Sequence, residues 1–184
     1  MIKVFDNLLT KKQKDEILDM HLHEYFPWYL CSKGFGTSPE EYYKKVEDKH
    51  CYEYTQFVHT YIADGIIKSN LFKEIEKIFN HFIYETKQKV KKLHRIKANY
   101  QPMYLYDKNK MYNTPHTDYV FPHRTMPYYI NDSDGCTFFF KNNKIIKKVE
   151  PKKGRLVLFD GLIKHAGCHP KKNKNRIVLN INYE

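Results

Sequence analysis

The sequence predicts one mainly β domain, a sandwich or barrel that carries its helices on the outside. Short apolar and aromatic runs recur from residue 96 to the end, and residues typical of turns separate them. A helix-like apolar repeat precedes this region, so residues 1–95 are expected to be a helical or mixed support for a β core at 96–184. The 184 residues fit a single domain, 1–184, with a sizeable core.

The support region predicts two main helices. Thr10 and Gln13 have the spacing of a capping box for a helix over 11 to about 21. Apolar residues at three- and four-residue spacing predict a longer helix over about 69–92. His21, near the end of the first helix, is expected at the surface. The other expected elements are extended segments at 5–9 and 26–30, an extended or mixed segment at 53–61, and a short helix from Pro39 to about residue 45.

The second half reads as a series of short strands separated by Asn, Asp, Gly and Pro residues. Strand-like runs at regular spacing indicate an all-β sandwich or barrel. The expected strands lie at 96–106, 112–120, 126–130, 136–140, 145–149, 155–159, 164–167 and 176–183.

A candidate metal site begins at His116 and Asp118, which are two residues apart within the expected strand 112–120. Alternate side chains of a strand leave from the same face, so these two side chains are expected to point the same way. With His165 they make two imidazoles and one carboxylate, the ligand set that holds ferrous iron and leaves coordination positions open.

Arg176 follows His165 in the last expected strand. Its planar guanidinium suits a carboxylate, which it can hold by two parallel hydrogen bonds. The sequence therefore places an anion-binding residue after the candidate metal ligands.

This ordered set resembles the Fe(II)/2-oxoglutarate-dependent dioxygenases, and the nearest branch is the prolyl 4-hydroxylase-like one. The resemblance covers roughly residues 96–184. It implies a double-stranded β-helix, or cupin-like jelly-roll, with iron on His116, Asp118 and His165 and the distal carboxylate of 2-oxoglutarate on Arg176. It also implies use of O2, release of succinate and CO2, and hydroxylation of a C–H bond, with ascorbate as a supporting reductant. The segments that carry the resemblance besides the ligands are 128–131, 135–140, 151–160, 165–170 and 176–180.

The resemblance also suggests which residues bind the co-substrate and the substrate. Tyr129 stands where such enzymes place a tyrosine near the distal carboxylate, and Tyr106, or Tyr104 on the same strand face, is a second candidate. Asn180 and Asn182 share the strand face of Arg176 and are expected to line the substrate pocket.

Three functions remain open at this point. The first is hydroxylation of a protein or peptide side chain, or of a small molecule. The second is oxidative demethylation of nucleic acid, which the net charge of +11 encourages. That branch carries a second arginine six residues after the first, where this chain has Asn182, and the lysines are dispersed, so nucleic acid is not favoured. The third is a non-enzymatic jelly-roll that binds a metal or a sugar.

The composition bears on location. No apolar run is long enough to cross a membrane, no secretory signal pattern opens the chain, and four cysteines show no zinc-ligand spacing. These features predict reduced thiols and a cytoplasmic protein, or a protein of the host cytoplasm if its source is a virus.

Overall fold

The computed structural model describes residues 1–31, 51–52, 56–104 and 111–184. Its strands are β1 Lys3–Phe5, β2 Tyr29–Cys31, β3 Cys51–Tyr52, β4 Gln56–Ala63, β5 Ile66–Ile67, β6 Leu93–Pro102, β7 Tyr112–Asn113, β8 Arg124–Tyr129, β9 Thr137–Lys141, β10 Lys144–Val149, β11 Leu156–Asp160, β12 His165–Gly167 and β13 Asn175–Tyr183.

The strands form three sheets. The largest has eight strands in the order β1-β11-β8-β13-β6-β4-β2, with β5 paired to β4, and it lies beside a three-stranded sheet β10-β9-β12. A two-stranded pair, β3–β7, is parallel, and the strand pairs of the other two sheets are antiparallel.

The two larger sheets face each other across an apolar layer. Phe139 of β9 packs edge-on against Phe159 of β11 with ring centroids 4.9 Å apart. Val149, Val157 and Val178 belong to the same buried cluster. This face-to-face packing of antiparallel sheets confirms the mainly β jelly-roll predicted from the sequence.

Two described helices cover the outer face of the large sheet. Helix α1, Lys11–Leu22, begins at the predicted capping box, in which the Thr10 hydroxyl accepts from the Gln13 backbone. Helix α2, Phe72–Glu85, buries Phe72, Ile75, Phe79 and Phe82 against the sheet. The support region also contributes strands to the sheet, because β1, β2 and β4 all come from residues before 95.

Several predicted boundaries were wrong. The opening strand lies at Lys3–Phe5 rather than 5–9, because the chain turns at Asn7 with a φ of 62°. Helix α2 is shorter than the predicted 69–92, since it ends at Thr86, whose hydroxyl donates to the Phe82 carbonyl 2.6 Å away, before Lys87 adopts a φ of 52°. The 53–61 segment is strand β4 where it is described. The predicted helix from Pro39 lies outside the described residues.

His21 is buried, which contradicts the surface position predicted for it. Its Nδ1 lies 2.7 Å from the carbonyl of Ile17, and its Nε2 lies 2.8 Å from the Tyr61 hydroxyl. The helical spacing placed His21 on the face of Ile17, and both positions face the sheet.

No helix in the described part of the chain has both the length and the apolar character needed to span a membrane.

Candidate metal and 2-oxoglutarate site

The candidate ligands converge, although the predicted strand 112–120 does not form. Strand β7 ends at Asn113, and His116 then makes an isolated bridge to His165 through two backbone hydrogen bonds of 3.0 and 2.9 Å. Asp118 lies in a bend beyond this bridge. Pro115 interrupts the strand hydrogen bonding because it has no amide N–H. The two side chains therefore meet through the bridge to β12 rather than through strand alternation.

The three side chains form a group that could hold a metal ion. One ligand atom from each of His116, Asp118 and His165 lies within 4.8 Å of the others. The Nδ1 atoms of His116 and His165 lie 3.0 and 3.2 Å from the carbonyls of Thr114 and Ile163. A histidine whose Nδ1–H donates to a carbonyl keeps the lone pair of Nε2 free for a metal. The donor set fits ferrous iron.

Electrostatics keep His165 and Asp118 in the protonation states that a metal needs. Burial lowers the pKa of His165 to about 4, so its imidazole is neutral near pH 7. Burial alone would raise the pKa of Asp118, but Arg95 and the neighbouring histidines outweigh it and hold that pKa well below its ordinary value. Arg95 donates from Nη2 to Oδ1 of Asp118 over 2.5 Å.

Arg176 is a buried cation in the same cavity. Its Nη1 donates to Gln101 Oε1 over 2.5 Å, and its Nη2 donates to Thr137 Oγ1 over 2.8 Å. Both partners are neutral, and among the described residues no carboxylate pairs with it. Its Nε is buried and has no hydrogen-bond partner among the described residues. Gly167 leaves room for the guanidinium, because a Cβ there would stand 3.2 Å from Nη1.

The proposed co-substrate tyrosines differ in position. Tyr129 is fully buried, its ring lies 5.6 Å from the Arg176 guanidinium carbon, and its hydroxyl donates to Thr137 Oγ1 over 2.7 Å. Burial raises the pKa of Tyr129, so it remains a neutral donor. Tyr104 is 53% exposed and does not belong to the cavity wall. Tyr106 lies outside the described residues.

The cavity has a volume of about 560 Å³, counting its open mouth. Its wall joins the candidate ligands to Arg176 and is mostly polar. The described residues that line it are Gln56, Lys97, Asn99, Gln101, Asn113, His116, Asp118, Pro127, Thr137, His165, Gly167, Arg176, Val178 and Asn180.

Strand β6 supplies three polar residues of the cavity wall, Lys97, Asn99 and Gln101, none of which was among the site residues predicted from the sequence. On β6, alternate residues are polar, and they face β13 in register: Gln101 opposite Arg176, Lys97 opposite Asn180, and Arg95 opposite Asn182. The period of two in these side chains is visible in the sequence and could have marked an inward polar face. Asn180 lies in the cavity wall, whereas Asn182 is buried against Asp118 and is not among the residues that line the cavity in the described structure.

Comparison with known proteins agrees with this geometry. Residues 102–184 match the family model of the 2OG-Fe(II) oxygenase superfamily. No curated protein sequence matches the chain. The match over residues 102–184, with the fold and the candidate donor set, supports an oxygenase similar to the 2OG-Fe(II) oxygenases and their prolyl hydroxylases, and that superfamily implies Fe(II), 2-oxoglutarate and O2.

Solved structures share the fold at low sequence identity. A prolyl hydroxylase from Trichoplax adhaerens, in complex with a hypoxia inducible factor oxygen degradation domain peptide fragment, has a TM-score of 0.67 at 14% identity and covers 99% of this chain and 82% of its own. An oxidoreductase of the 2OG-Fe(II) oxygenase family from Burkholderia pseudomallei has a TM-score of 0.70 at 8% identity, covering 99% and 84%. The alpha-ketoglutarate-dependent epimerase SnoN from nogalamycin biosynthesis has a TM-score of 0.62 at 12% identity, covering 99% and 77%.

Proposed function

We propose that the chain hydroxylates a C–H bond of a protein or peptide side chain, or of a small molecule, with release of succinate and CO2. In this proposal His116, Asp118 and His165 hold Fe(II), and Arg176 binds the distal carboxylate of 2-oxoglutarate. The observation that carries it is the buried guanidinium of Arg176, which has no acidic partner among the described residues and shares a cavity with the three ligands. A buried cation without an acidic partner carries a desolvation cost, which a bound anion would offset.

The residues around Arg176 would orient the co-substrate. Thr137 Oγ1 already accepts from both Arg176 and Tyr129, so a carboxylate at the guanidinium would also meet the Tyr129 hydroxyl nearby. Gln101 would hold the other side of the guanidinium. These contacts hold the planar guanidinium of Arg176 in place before the co-substrate binds, which reduces the conformational entropy lost on binding.

The remaining residues would position the substrate and keep water out. Bound iron supplies the oxygen chemistry, in which 2-oxoglutarate and O2 give succinate and CO2 while a substrate C–H becomes C–OH. Asn180, Asn99 and Asn113 line the cavity, and each has a buried side-chain oxygen that lacks a partner in the described structure. Such groups favour a polar substrate, because an apolar one would leave them unpaired.

The similar structures leave both substrate classes in view. The Trichoplax enzyme is bound to a peptide, and SnoN belongs to the biosynthesis of a small molecule. Nucleic acid is less well supported, because Asn182 stands where the demethylase branch has its second arginine and is occupied in hydrogen bonds to Asp118 and Thr125.

The same proposal includes one domain over residues 1–184 in a reducing, cytoplasmic setting. Strands from before residue 95 complete the large sheet, which supports a single unit. Cys136 and Cys168 are buried thiols that form no disulfide, as a reducing compartment would keep them.

Succinate formation tests the activity. The purified chain is incubated with Fe(II), ascorbate and 2-oxoglutarate in air, and succinate is measured with and without a metal chelator. We expect slow succinate formation that the chelator abolishes, and that becomes faster when the correct substrate is added. Ascorbate serves to keep the iron ferrous. A protein that neither binds 2-oxoglutarate nor forms succinate under these conditions contradicts the proposal.

A further inference from the structure

Three side chains of the protein donate hydrogen bonds to the carboxylate of Asp118. Arg95 Nη2 donates to Oδ1 over 2.5 Å, and Asn182 Nδ2 donates to Oδ2 over 3.0 Å. Asn180 Nδ2 lies 3.2 Å from both oxygens. One cation and two amides therefore already balance and orient a carboxylate that the proposed function assigns to a metal ion.

Arg95 is fixed in this position by its own contacts. It lies opposite Asn182 in the β6–β13 register, and its Nε donates to Asn182 Oδ1 over 3.1 Å. Its guanidinium carbon lies 5.3 Å from the centre of the Tyr119 ring, and its side chain is only 12% exposed. The ion pair with Asp118 is thus a built feature of the sheet and not a surface contact.

The two carboxylate oxygens have different surroundings. Oδ2 lies 3.7 Å from Nε2 of His165, so it faces the other candidate ligand atoms. Oδ1 faces Arg95. The oxygen that would bind a metal and the oxygen that binds the arginine belong to the same anionic group, and they share its single negative charge.

We propose that Arg95 is an internal counter-cation for Asp118, which keeps the metal-free site assembled and lowers its affinity for the metal. This inference rests on the proposed function, because it takes the three ligands as a metal site. Without a metal, a buried Asp118 carboxylate that lost Arg95 would be strongly destabilising. With a metal bound, Arg95 adds a positive charge next to a divalent cation and draws electron density from its ligand.

This role differs from that of an ordinary supporting residue. Loss of a residue that only orients a ligand weakens metal binding by about 10–100-fold. In Arg95→Met, however, Asn180 and Asn182 still orient the carboxylate, while the competing charge is gone. Metal affinity should therefore rise, and the stability of the metal-free protein should fall.

The test uses Mn(II) alone, which accepts the same oxygen and nitrogen ligands as Fe(II) without oxidising in air. Binding to the full chain is measured by calorimetry, and melting temperature is measured with and without Mn(II). For Arg95→Met we expect the Mn(II) affinity to rise at least about tenfold, and a tenfold change corresponds to about 1.4 kcal/mol. We also expect Arg95→Met to have a lower melting temperature than the wild type without metal, and a larger rise in melting temperature when Mn(II) is added.

Two variants separate charge from shape. Arg95→Lys keeps the charge and loses the fork, so its Mn(II) affinity should stay near that of the wild type. Arg124→Met removes the same charge from an exposed position on β8 and should leave Mn(II) affinity unchanged.

The outcomes are distinguishable. If the wild type binds Mn(II) and Arg95→Met binds it equally or more weakly, the counter-cation role is overturned and the proposed function stands. If the wild type does not bind Mn(II), both are overturned. If Arg95→Met is unfolded without metal, recovery of its native circular dichroism on adding Mn(II) supports the proposal, and failure to recover at millimolar Mn(II) overturns it.

Discussion

Replacing Arg176 by glutamine should separate co-substrate binding from stability. The guanidinium is buried and has only neutral partners, Gln101 and Thr137, in the described structure. A charge-assisted hydrogen bond contributes about 1.5–3 kcal/mol net, and about 1.4 kcal/mol is tenfold in affinity. We therefore expect Arg176→Gln to weaken 2-oxoglutarate binding by about 10- to 150-fold. The 2-oxoglutarate affinity of Arg176→Lys should lie between those of the wild type and Arg176→Gln, because lysine keeps the charge but lacks the planar guanidinium.

The same variant should keep its melting temperature, or raise it. Removing a buried cation that has no acidic partner relieves a desolvation penalty, as often happens at functional sites. Metal affinity should not change, since Arg176 is not among the three clustered ligands. Calorimetry of the Mn(II)-loaded protein with 2-oxoglutarate, without oxygen, measures the co-substrate affinity, and thermal unfolding measures the melting temperature.

Arg155→Gln is the matched control. Arg155 makes a bidentate ion pair with Asp6, with both N–O distances 2.9 Å, outside the cavity. This substitution should leave 2-oxoglutarate affinity unchanged and lower stability slightly, as expected for a partly exposed pair. If Arg176→Gln lowers the melting temperature and leaves 2-oxoglutarate affinity intact, Arg176 is structural and the reasoning is refuted.

Four further results are expected. Asp118→Asn should lower Mn(II) affinity by more than about 100-fold with the fold retained by circular dichroism, and an unchanged affinity in calorimetry would remove Asp118 from the ligand set. Burial lowers the pKa of His21 from 6.5 to about 4, so the unfolded chain binds more protons than the folded chain between these pH values. The free energy of unfolding should therefore fall by about 3 kcal/mol as the pH drops through this window. Denaturant titrations of His21→Gln should show a weaker dependence of the unfolding free energy on pH. Gly135→Ala would place a Cβ 2.5 Å from the Cys168 carbonyl oxygen, so the free energy of unfolding should fall by about 1–3 kcal/mol in thermal unfolding. An unchanged unfolding free energy would mean that the backbone relaxes easily. Binding to duplex DNA should be weak and should fall steeply with salt, whereas tight, structure-selective binding at physiological salt would favour the demethylase alternative.

Much of the fold could be predicted because each strand of the second half carries its own local signals. Turn residues separate the runs, and the described strand ends fell within a few residues of the prediction, except in the predicted strand 112–120, of which only Tyr112–Asn113 forms. Helix α2 was also predicted, since apolar residues recur at helical spacing, namely Leu71, Ile75, Ile78, Phe82 and Ile83. The end of α2 was missed because side-chain capping by Thr86 and a left-handed Lys87 stopped the helix before its polar extension.

The site was predicted in composition but not in detail. His116, Asp118 and His165 do come together, yet they do so through a bridge between His116 and β12, which depends on a partner segment about 50 residues away. Arg95 was missed because the alternating polar residues of β6 mark a face of the strand but not the partner that each residue meets across the sheet. Its role depends on the cross-strand register that places it opposite Asn182.

The central claim is that one cavity holds both the metal and the co-substrate. A crystal structure of the chain with Mn(II) and 2-oxoglutarate, grown without oxygen, tests it most directly. The account predicts Mn(II) on His116, Asp118 and His165, with the distal carboxylate of 2-oxoglutarate on Arg176. A metal bound elsewhere, or a 2-oxoglutarate molecule that does not contact Arg176, would contradict it.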